Sequence, residues 1–299
     1  MSFRVVTVSG PATVRLANRA VLIEKDREVV GKIPVEDIAV LVLDGPDLLL
    51  SHQILGFCAE HGVAVVTSDE KHMPNGLHLP LSGHTLHSAT LRSQIEASAP
   101  SMKRTWQTIV KAKIRSQAKA LEYCELPGEQ LRRLASMVRS GDPDNVEARA
   151  AARFFDAMFG AQFIRDRDAP GLNACLNYGY AIVRSAVARS IVGAGLHPAL
   201  GVHHHNQYNA FCLADDAMEP FRSMVDVQVW RMSRLGEVTD ELKPATKRAL
   251  VGVLGRHVII DGMRYPFLVG LERYAAGLRR AVCEGDLMPV AIPAFEHRE

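Results

Sequence analysis

The chain has 299 residues, of which 47% are hydrophobic and 23% charged, with a formal net charge of +2. Together with a mean hydropathy of +0.01, this excludes a disordered or fibrous protein and leaves room for one large core or two modest ones. The longest apolar runs, such as Ile38 to Leu43 and Val251 to Leu254, fall far short of the ~18 residues a membrane span needs, so no membrane partner is expected.

The opening run from Met1 to Val8 carries neither an apolar signal core nor a small-residue cleavage site, and a cytoplasmic location is the expectation. Short segments rich in Val and Ile, punctuated by Gly, Pro, Asn and Asp, then predict strands at Phe3 to Val8, Thr13 to Ala17, Val21 to Glu24, Val29 to Ile33, Ile38 to Leu43 and Val63 to Thr67. Between the last two, Ser51 can cap a short helix running to His61 and closed by Gly62. The Pro/Gly/His-rich stretch from Met73 to Gly83 has no helical period and marks a boundary. The expected domains are therefore a small β domain, residues 1–80, and a larger, mainly helical one, residues 81–299.

Helical stripes begin at Leu91 and Ile95 and continue through Trp106, Ile109, Val110 and Ile114, then Leu131, Leu134 and Val138, then Ala148 to Phe159. A long apolar helix is expected from Leu172 to Val192, with further helices at Phe221 to Arg234, Ala245 to Leu254 and Leu271 to Val282. A hairpin of His257 to Ile260 and Tyr265 to Leu268 around Asp261-Gly262 interrupts them. The cysteines Cys58, Cys124, Cys175, Cys212 and Cys283 are odd in number and scattered, which fits reduced core residues and not a disulfide framework.

Charge is unevenly placed: residues 1–80 hold 7 basic and 10 acidic side chains, against 28 and 23 in the remainder. Lys103, Arg104, Lys111, Lys113, Arg115 and Lys119 share one helical stretch with no intervening acid. Such a helix reads as a phosphate-binding face or as an ordinary solvated surface.

The most unusual segment is Gly201-Val202-His203-His204-His205-Asn206, followed by Asp215-Asp216-Ala217-Met218-Glu219-Pro220-Phe221-Arg222. Imidazole beside carboxylates points to a hard divalent metal, although a polar loop and helix-capping acids would look the same. Were Asp216 to Glu219 helical, i, i+3 spacing would put both carboxylates on one face, but Pro220 places Glu219 near a helix entrance or kink. Adjacent side chains rarely converge on one point, so His203, His204 and His205 are not all expected to be ligands together. Upstream, Asp144 or Asn145 can cap a helix whose first turn holds Glu147, where a carboxylate is electrostatically favoured.

The strand-rich N-terminal part, the Asn145-Val146-Glu147-Ala148-Arg149-Ala150-Ala151 helix start, Leu176-Asn177-Tyr178-Gly179-Tyr180, the histidine loop and the Asp216-to-Arg222 segment occur in a joint order. That order closely resembles the CRISPR-associated integrase subunit that inserts new spacers, over essentially the whole chain. The wording of the motifs is that of the branch found with a single large RNA-guided nuclease.

The resemblance implies an α+β protein with an N-terminal β-sandwich-like domain and an α-helical catalytic domain. It further implies a Mg²⁺ or Mn²⁺ ion held by Glu147, His204 and Glu219, with Asp216, one helical turn earlier, as an additional ligand candidate. Glu219 stands where many relatives have Asp, which keeps the carboxylate and lengthens its arm. The implied assembly is a homodimer paired through the N-terminal domain, with a small ferredoxin-like companion protein, prespacer DNA, CRISPR repeat and leader DNA, and the large nuclease as a further partner. The implied reaction is metal-dependent transesterification and hydrolysis of phosphodiesters. A stand-alone nuclease acting on branched or single-stranded DNA and a non-catalytic DNA-binding scaffold are the alternatives.

Overall fold

The computed structural model describes residues 4–81, 83–166 and 168–295, and the chain divides into two compact units between Thr85 and Leu86. In the first unit the predicted strands appear as β1 (Arg4–Ser9), β2 (Ala12–Ala17), β3 (Ala20–Lys25), β4 (Glu28–Pro34) and β5 (Ile38–Asp44). They are followed by a short β6 (Leu48–Leu50), helix α1 (His52–Glu60), β7 (Ala64–Ser68) and β8 (Pro74–His78). Phe3, the first residue of the expected strand, lies outside the described residues.

Two four-stranded sheets result, in the orders β4-β3-β2-β6 and β1-β5-β7-β8. In the first, β2, β3 and β4 form an antiparallel meander whose turns put Asn18 and Arg19, then Asp26 and Arg27, at positive φ, the conformation that tight hairpins demand, and β6 joins β2 in parallel. In the second, β1, β5 and β7 run parallel. A central parallel strand is covered on both faces, which is why Ile38 to Asp44 is buried throughout instead of alternating. Val8, Val14, Val21, Ile38, Leu41, Ile54 and Val65 draw both sheets and α1 into one core.

Two local expectations differ. The Met73-to-Gly83 stretch is not all connection, because β8 pairs antiparallel with β7. Ser51 does occupy the cap position of α1, yet its hydroxyl makes no capping bond and is buried without a partner.

The second unit holds α2 (His87–Ile95), α3 (Ala99–Tyr123), α4 (Glu129–Met137), α5 (Val146–Phe159), α6 (Leu172–Gly193), α7 (Cys212–Met218), α8 (Arg222–Arg234) and α9 (Pro244–Val251). A hairpin of β9 (His257–Ile260) and β10 (Met263–Pro266), α10 (Phe267–Cys283) and β11 (Ala291–Ala294) complete it. The fold is thus α+β. The hairpin turns at Asp261-Gly262, both at positive φ, as the dipeptide predicts. The Pro266-Phe267 junction starts α10 four residues before the expected Leu271. Strand β11 pairs with β9 and was not legible in the short run Ala-Ile-Pro-Ala. In α2 the buried side chains are Thr90 and Gln94, whereas Ile95 is exposed.

The cysteines are all free, with Cys58, Cys124, Cys175 and Cys212 buried and Cys283 partly so. Among the described residues no helix is long and apolar enough to cross a membrane.

Helix α3 is defined at its start by Ser98, whose hydroxyl accepts from the Ser101 amide at 3.4 Å, and by a proline in its first turn. It packs against α4, α5, α8 and α10, while α6 packs against α7, α8, α9 and α10. The α6–α8 approach is set by Gly179: a Cβ there would lie 2.4 Å from Val225 Cγ1. Gly179→Ala is therefore expected to cost about 1–3 kcal/mol. The measurement is urea denaturation, and trimming the opposing side chain with Val225→Ala should make the double variant lose less than the sum of the single losses.

Candidate functional site

At about 100° per residue, α3 presents two chemically different stripes. Arg104, Lys111 and Arg115 follow i, i+7, i+11 spacing on the outward side, flanked by Lys103 and Lys119. Trp106, Lys113 and Gln117 follow the same spacing on the inward side, where Trp106 and Gln117 are buried. Lys113 thereby leaves the set of six cations expected to face phosphate. Its side chain is 11% exposed and its ammonium lies 2.6 Å from Glu147 Oε1 and 2.5 Å from Glu219 Oε2.

Glu147 reaches that ammonium from the first turn of α5. The preceding loop puts Gly141, Asp142 and Asn145 at positive φ, and this curls the Asp142 carboxylate over the helix end. Its Oδ1 accepts from the Val146 amide at 3.0 Å and its Oδ2 from the Glu147 amide at 2.9 Å. Asp142 is thus the working cap, in place of the expected Asp144 or Asn145. Asn145 makes no side-chain capping bond, and Asp144 forms a two-point ion pair with Arg139 at 2.7 and 2.8 Å.

The histidine loop is held at both ends. The buried Gln94 of α2 donates to the carbonyls of His197 at 3.1 Å and Leu200 at 3.0 Å, and accepts from the His197 amide at 2.8 Å. Beyond it, Asp216 of α7 is fully buried and accepts from the His203 and His204 amides through Oδ2, at 2.8 and 3.3 Å. Asp216 Oδ1 accepts from His204 Nδ1. Gly201 makes this closure possible, since a Cβ would lie 2.2 Å from the His204 carbonyl oxygen and 3.0 Å from Asp216 Oδ2. Both oxygens of Asp216 are therefore engaged by the loop, and it acts as the positioning residue of His204. His203 stacks flat on Trp106 at 4.3 Å between centroids, and His204 meets the same indole edge-on at 5.7 Å.

Helix α7 ends at Met218, and Glu219-Pro220-Phe221 forms a single 3-10 turn before α8. The proline breaks the helical register here, so Asp216 and Glu219 serve different partners despite their i, i+3 spacing. Glu219 Oε1 accepts from Arg222 Nε at 2.8 Å. Arg222 in turn lies over the Tyr180 ring at 4.7 Å, and the Tyr180 hydroxyl donates to buried Asp226. Arg165 covers the same ring at 5.6 Å and is held at 2.8 Å by Asn173 and 2.5 Å by Asn177.

Burial pushes the Glu219 carboxyl up, but Arg222 and Lys113 outweigh it and bring the group down to about 2. Burial likewise works against the Lys113 ammonium, and Glu219 and Glu147 overcome it, so the group titrates above the ordinary lysine range. The hydrogen bond to Asp216 raises His204, with burial opposing. Among the described residues no three His, Cys, Asp or Glu side chains converge closely enough to hold a metal ion; the two carboxylates close on an ammonium instead. In kind, the donors fit a hard divalent ion: two carboxylates within reach of one cation, and an imidazole whose Nδ1 bond leaves Nε2 for a ligand.

Of the residues the sequence singles out, the structure brings Glu147 and Glu219 together at Lys113 and pairs His204 with Asp216, while nothing in the sequence pattern shows the contacts of Lys113, Trp106 or the Tyr180–Asp226 pair. A signal for the inward placement of Lys113 was present: it is the one charged side chain on the stripe that also holds Trp106, Ile109, Val110 and Ile114.

Burial lifts the Asp226 carboxyl to about 7 against the opposing pull of its Tyr180 hydrogen bond. The folded protein thus binds a proton there that the unfolded chain releases near ~4. The stability tied to that proton is full below ~4 and declines as the pH rises to about 7. Asp226→Asn, which has no such proton to lose, should gain stability relative to the parent across that interval, as read from urea midpoints in a pH series.

The chain belongs to the family of the CRISPR associated protein Cas1, whose model matches residues 6–260. It is 35% identical over 295 residues to the CRISPR-associated endonuclease Cas1 of Neisseria meningitidis serogroup C (strain 8013), covering 98% of this chain and 96% of that one. It is 30% identical over 244 residues to a CRISPR-associated endonuclease Cas1 of Thermus thermophilus, covering 76% and 75% respectively. In fold it is similar to a casposase bound to its integration product, at a TM-score of 0.78, 18% identity and coverage of 100% and 96%. A CAS1 protein from Thermotoga maritima gives a TM-score of 0.77 at 16% identity, covering 98% of this chain and all of that one.

Proposed function

We propose that this protein is a DNA integrase and endonuclease of spacer acquisition, which joins short DNA fragments to a CRISPR array by transesterification. The observation that carries the reading is the convergence of Glu147 and Glu219 on one cation position in the unit that also holds the Asp216-oriented His204. Family membership supports it, since curated relatives are named endonucleases.

In this reading Glu147, His204 through Nε2, and Glu219 hold Mg²⁺ or Mn²⁺, which when bound supplies Lewis acidity at a phosphoryl oxygen and acidifies an attacking 3′ hydroxyl. The chain's own part is to fix the donors. Asp142 fixes the start of α5 and so Glu147, Asp216 sets the tautomer of His204, and Arg222 keeps Glu219 ionised. No protein nucleophile is required. Expected outcomes are a loss of strand transfer of about 10²-fold or more on Glu147→Ala, His204→Ala or Glu219→Ala, with retained DNA binding. His203→Ala and His205→Ala serve as controls, Asp216→Ala should have an intermediate effect, and Mn²⁺ should support the reaction at least as well as Mg²⁺. Donor DNA covalently joined to target is the integrase product; shortened DNA alone would favour a stand-alone nuclease, and activity that persists in EDTA would remove the metal.

The outward stripe Lys103, Arg104, Lys111, Arg115 and Lys119 carries prespacer DNA in this reading, by phosphate contacts that read no sequence. Replacing Arg104, Lys111 and Arg115 together by Gln should lower the slope of log affinity against log salt by about 2 to 3, measured by fluorescence anisotropy. The assembly is a homodimer paired through the N-terminal β domain, whose edge strands expose Val29, Val30 and Leu49. A small ferredoxin-like companion joins it, in keeping with the likeness to a solved Cas6-RT-Cas1–Cas2 complex. CRISPR repeat and leader DNA are the target, the large RNA-guided nuclease is a further partner, and the protein works in the cytoplasm.

A further inference from the structure

The Lys113 ammonium touches the two carboxylates that the proposed function assigns to a metal, at 2.6 Å from Glu147 Oε1 and 2.5 Å from Glu219 Oε2. Among the described residues it is the one ion-pair partner of Glu147, whereas Glu219 also has Arg222 at 2.8 Å. The three charged groups come from α3, the first turn of α5 and the 3-10 turn after α7, so no two are held near each other by local sequence. Both carboxylates are mostly buried, with 18% and 7% of their side chains exposed. Without the ammonium the two carboxylates would face each other with only Arg222, on the Glu219 side, to offset their repulsion.

A divalent ion ligated by these same two oxygens takes the place that the ammonium now fills. An ion seated between these two oxygens would lie in contact with the ammonium, and two cations at contact repel. We propose that Lys113 is a displaceable counter-cation: it holds Glu147 and Glu219 facing each other before a divalent ion arrives, and loading the site requires it to leave. This rests on the metal-binding reading above. It makes Lys113 a positioning residue for the ligands and a competitor of the ion, which is a different role from the phosphate contact its neighbours on the helix would make.

The test is a calorimetric titration of the full chain with Mn²⁺ alone, comparing the parent with Lys113→Met. The methionine variant should bind Mn²⁺ about tenfold more tightly, a change of the size that residues behind metal ligands commonly produce. It should also melt lower than the parent in EDTA and recover more on adding Mn²⁺. A role confined to packing would lower the melting temperature equally with and without the ion and leave the affinity unchanged. Equal or weaker Mn²⁺ binding by a folded methionine variant overturns the proposal while leaving the metal site standing; failure of both proteins to bind Mn²⁺ overturns the metal reading and this proposal with it. Should Lys113→Met not fold, the parent protein answers the question by amine acetylation followed by mass spectrometry. Lys113 should be protected in EDTA and modified several-fold faster at saturating Mn²⁺, and protection that persists with the ion bound overturns displacement.

Discussion

One ammonium shared by two carboxylates governs the geometry of the helical unit's chemical centre. Lys113, Glu147 and Glu219 belong to segments far apart in the chain, and each is costly to bury alone. Together they form a nearly neutral cluster once Arg222 is included. The cluster also dictates what surrounds it. Arg222 needs an electron-rich face, which Tyr180 provides, and Tyr180 needs an acceptor, which Asp226 provides. The close passage of α8 over Gly179 brings these groups within reach of one another.

Helix α3 links that centre to the surface. Its inward stripe touches the histidine loop through Trp106 and the carboxylates through Lys113, while its outward stripe displays cations to solvent. A rigid helix carrying both faces fixes the distance between the outward cations and the inward ion-pair cluster, which a loop could not do as closely. Under the proposed function, affinity and chemistry would then be separable, with phosphate contacts spread over the outer face and the inner groups acting as a unit.

Much of this was legible in the chain. Val- and Ile-rich runs of about six residues marked β1 to β5 and β7, Asp261-Gly262 marked the β9–β10 hairpin, and the long apolar segment after Gly171 marked α6. Motif order singled out Glu147, His204, Asp216 and Glu219. Less legible were β6, β8 and β11, whose few residues find strand geometry only because a partner edge lies beside them. The cap of α5 was misplaced for a related reason: with several Asp and Asn residues in one loop, the positive φ angles of Gly141 and Asp142 decide which carboxylate reaches the amides.

Most element types and the scattered, unpaired cysteines are readable along the chain, because they follow from composition, periodicity and local propensity. Which charge meets which is a product of packing. The pattern of α3 displays six cations without distinguishing the one that turns inward, since a lysine's partner is set by segments that packing brings to it. Nor does i, i+3 spacing reveal that Asp216 serves a loop and Glu219 an ammonium, because Pro220 ends one helical register and begins another between their roles. Coulombic energy depends on distance in space, and the chain records only distance along itself.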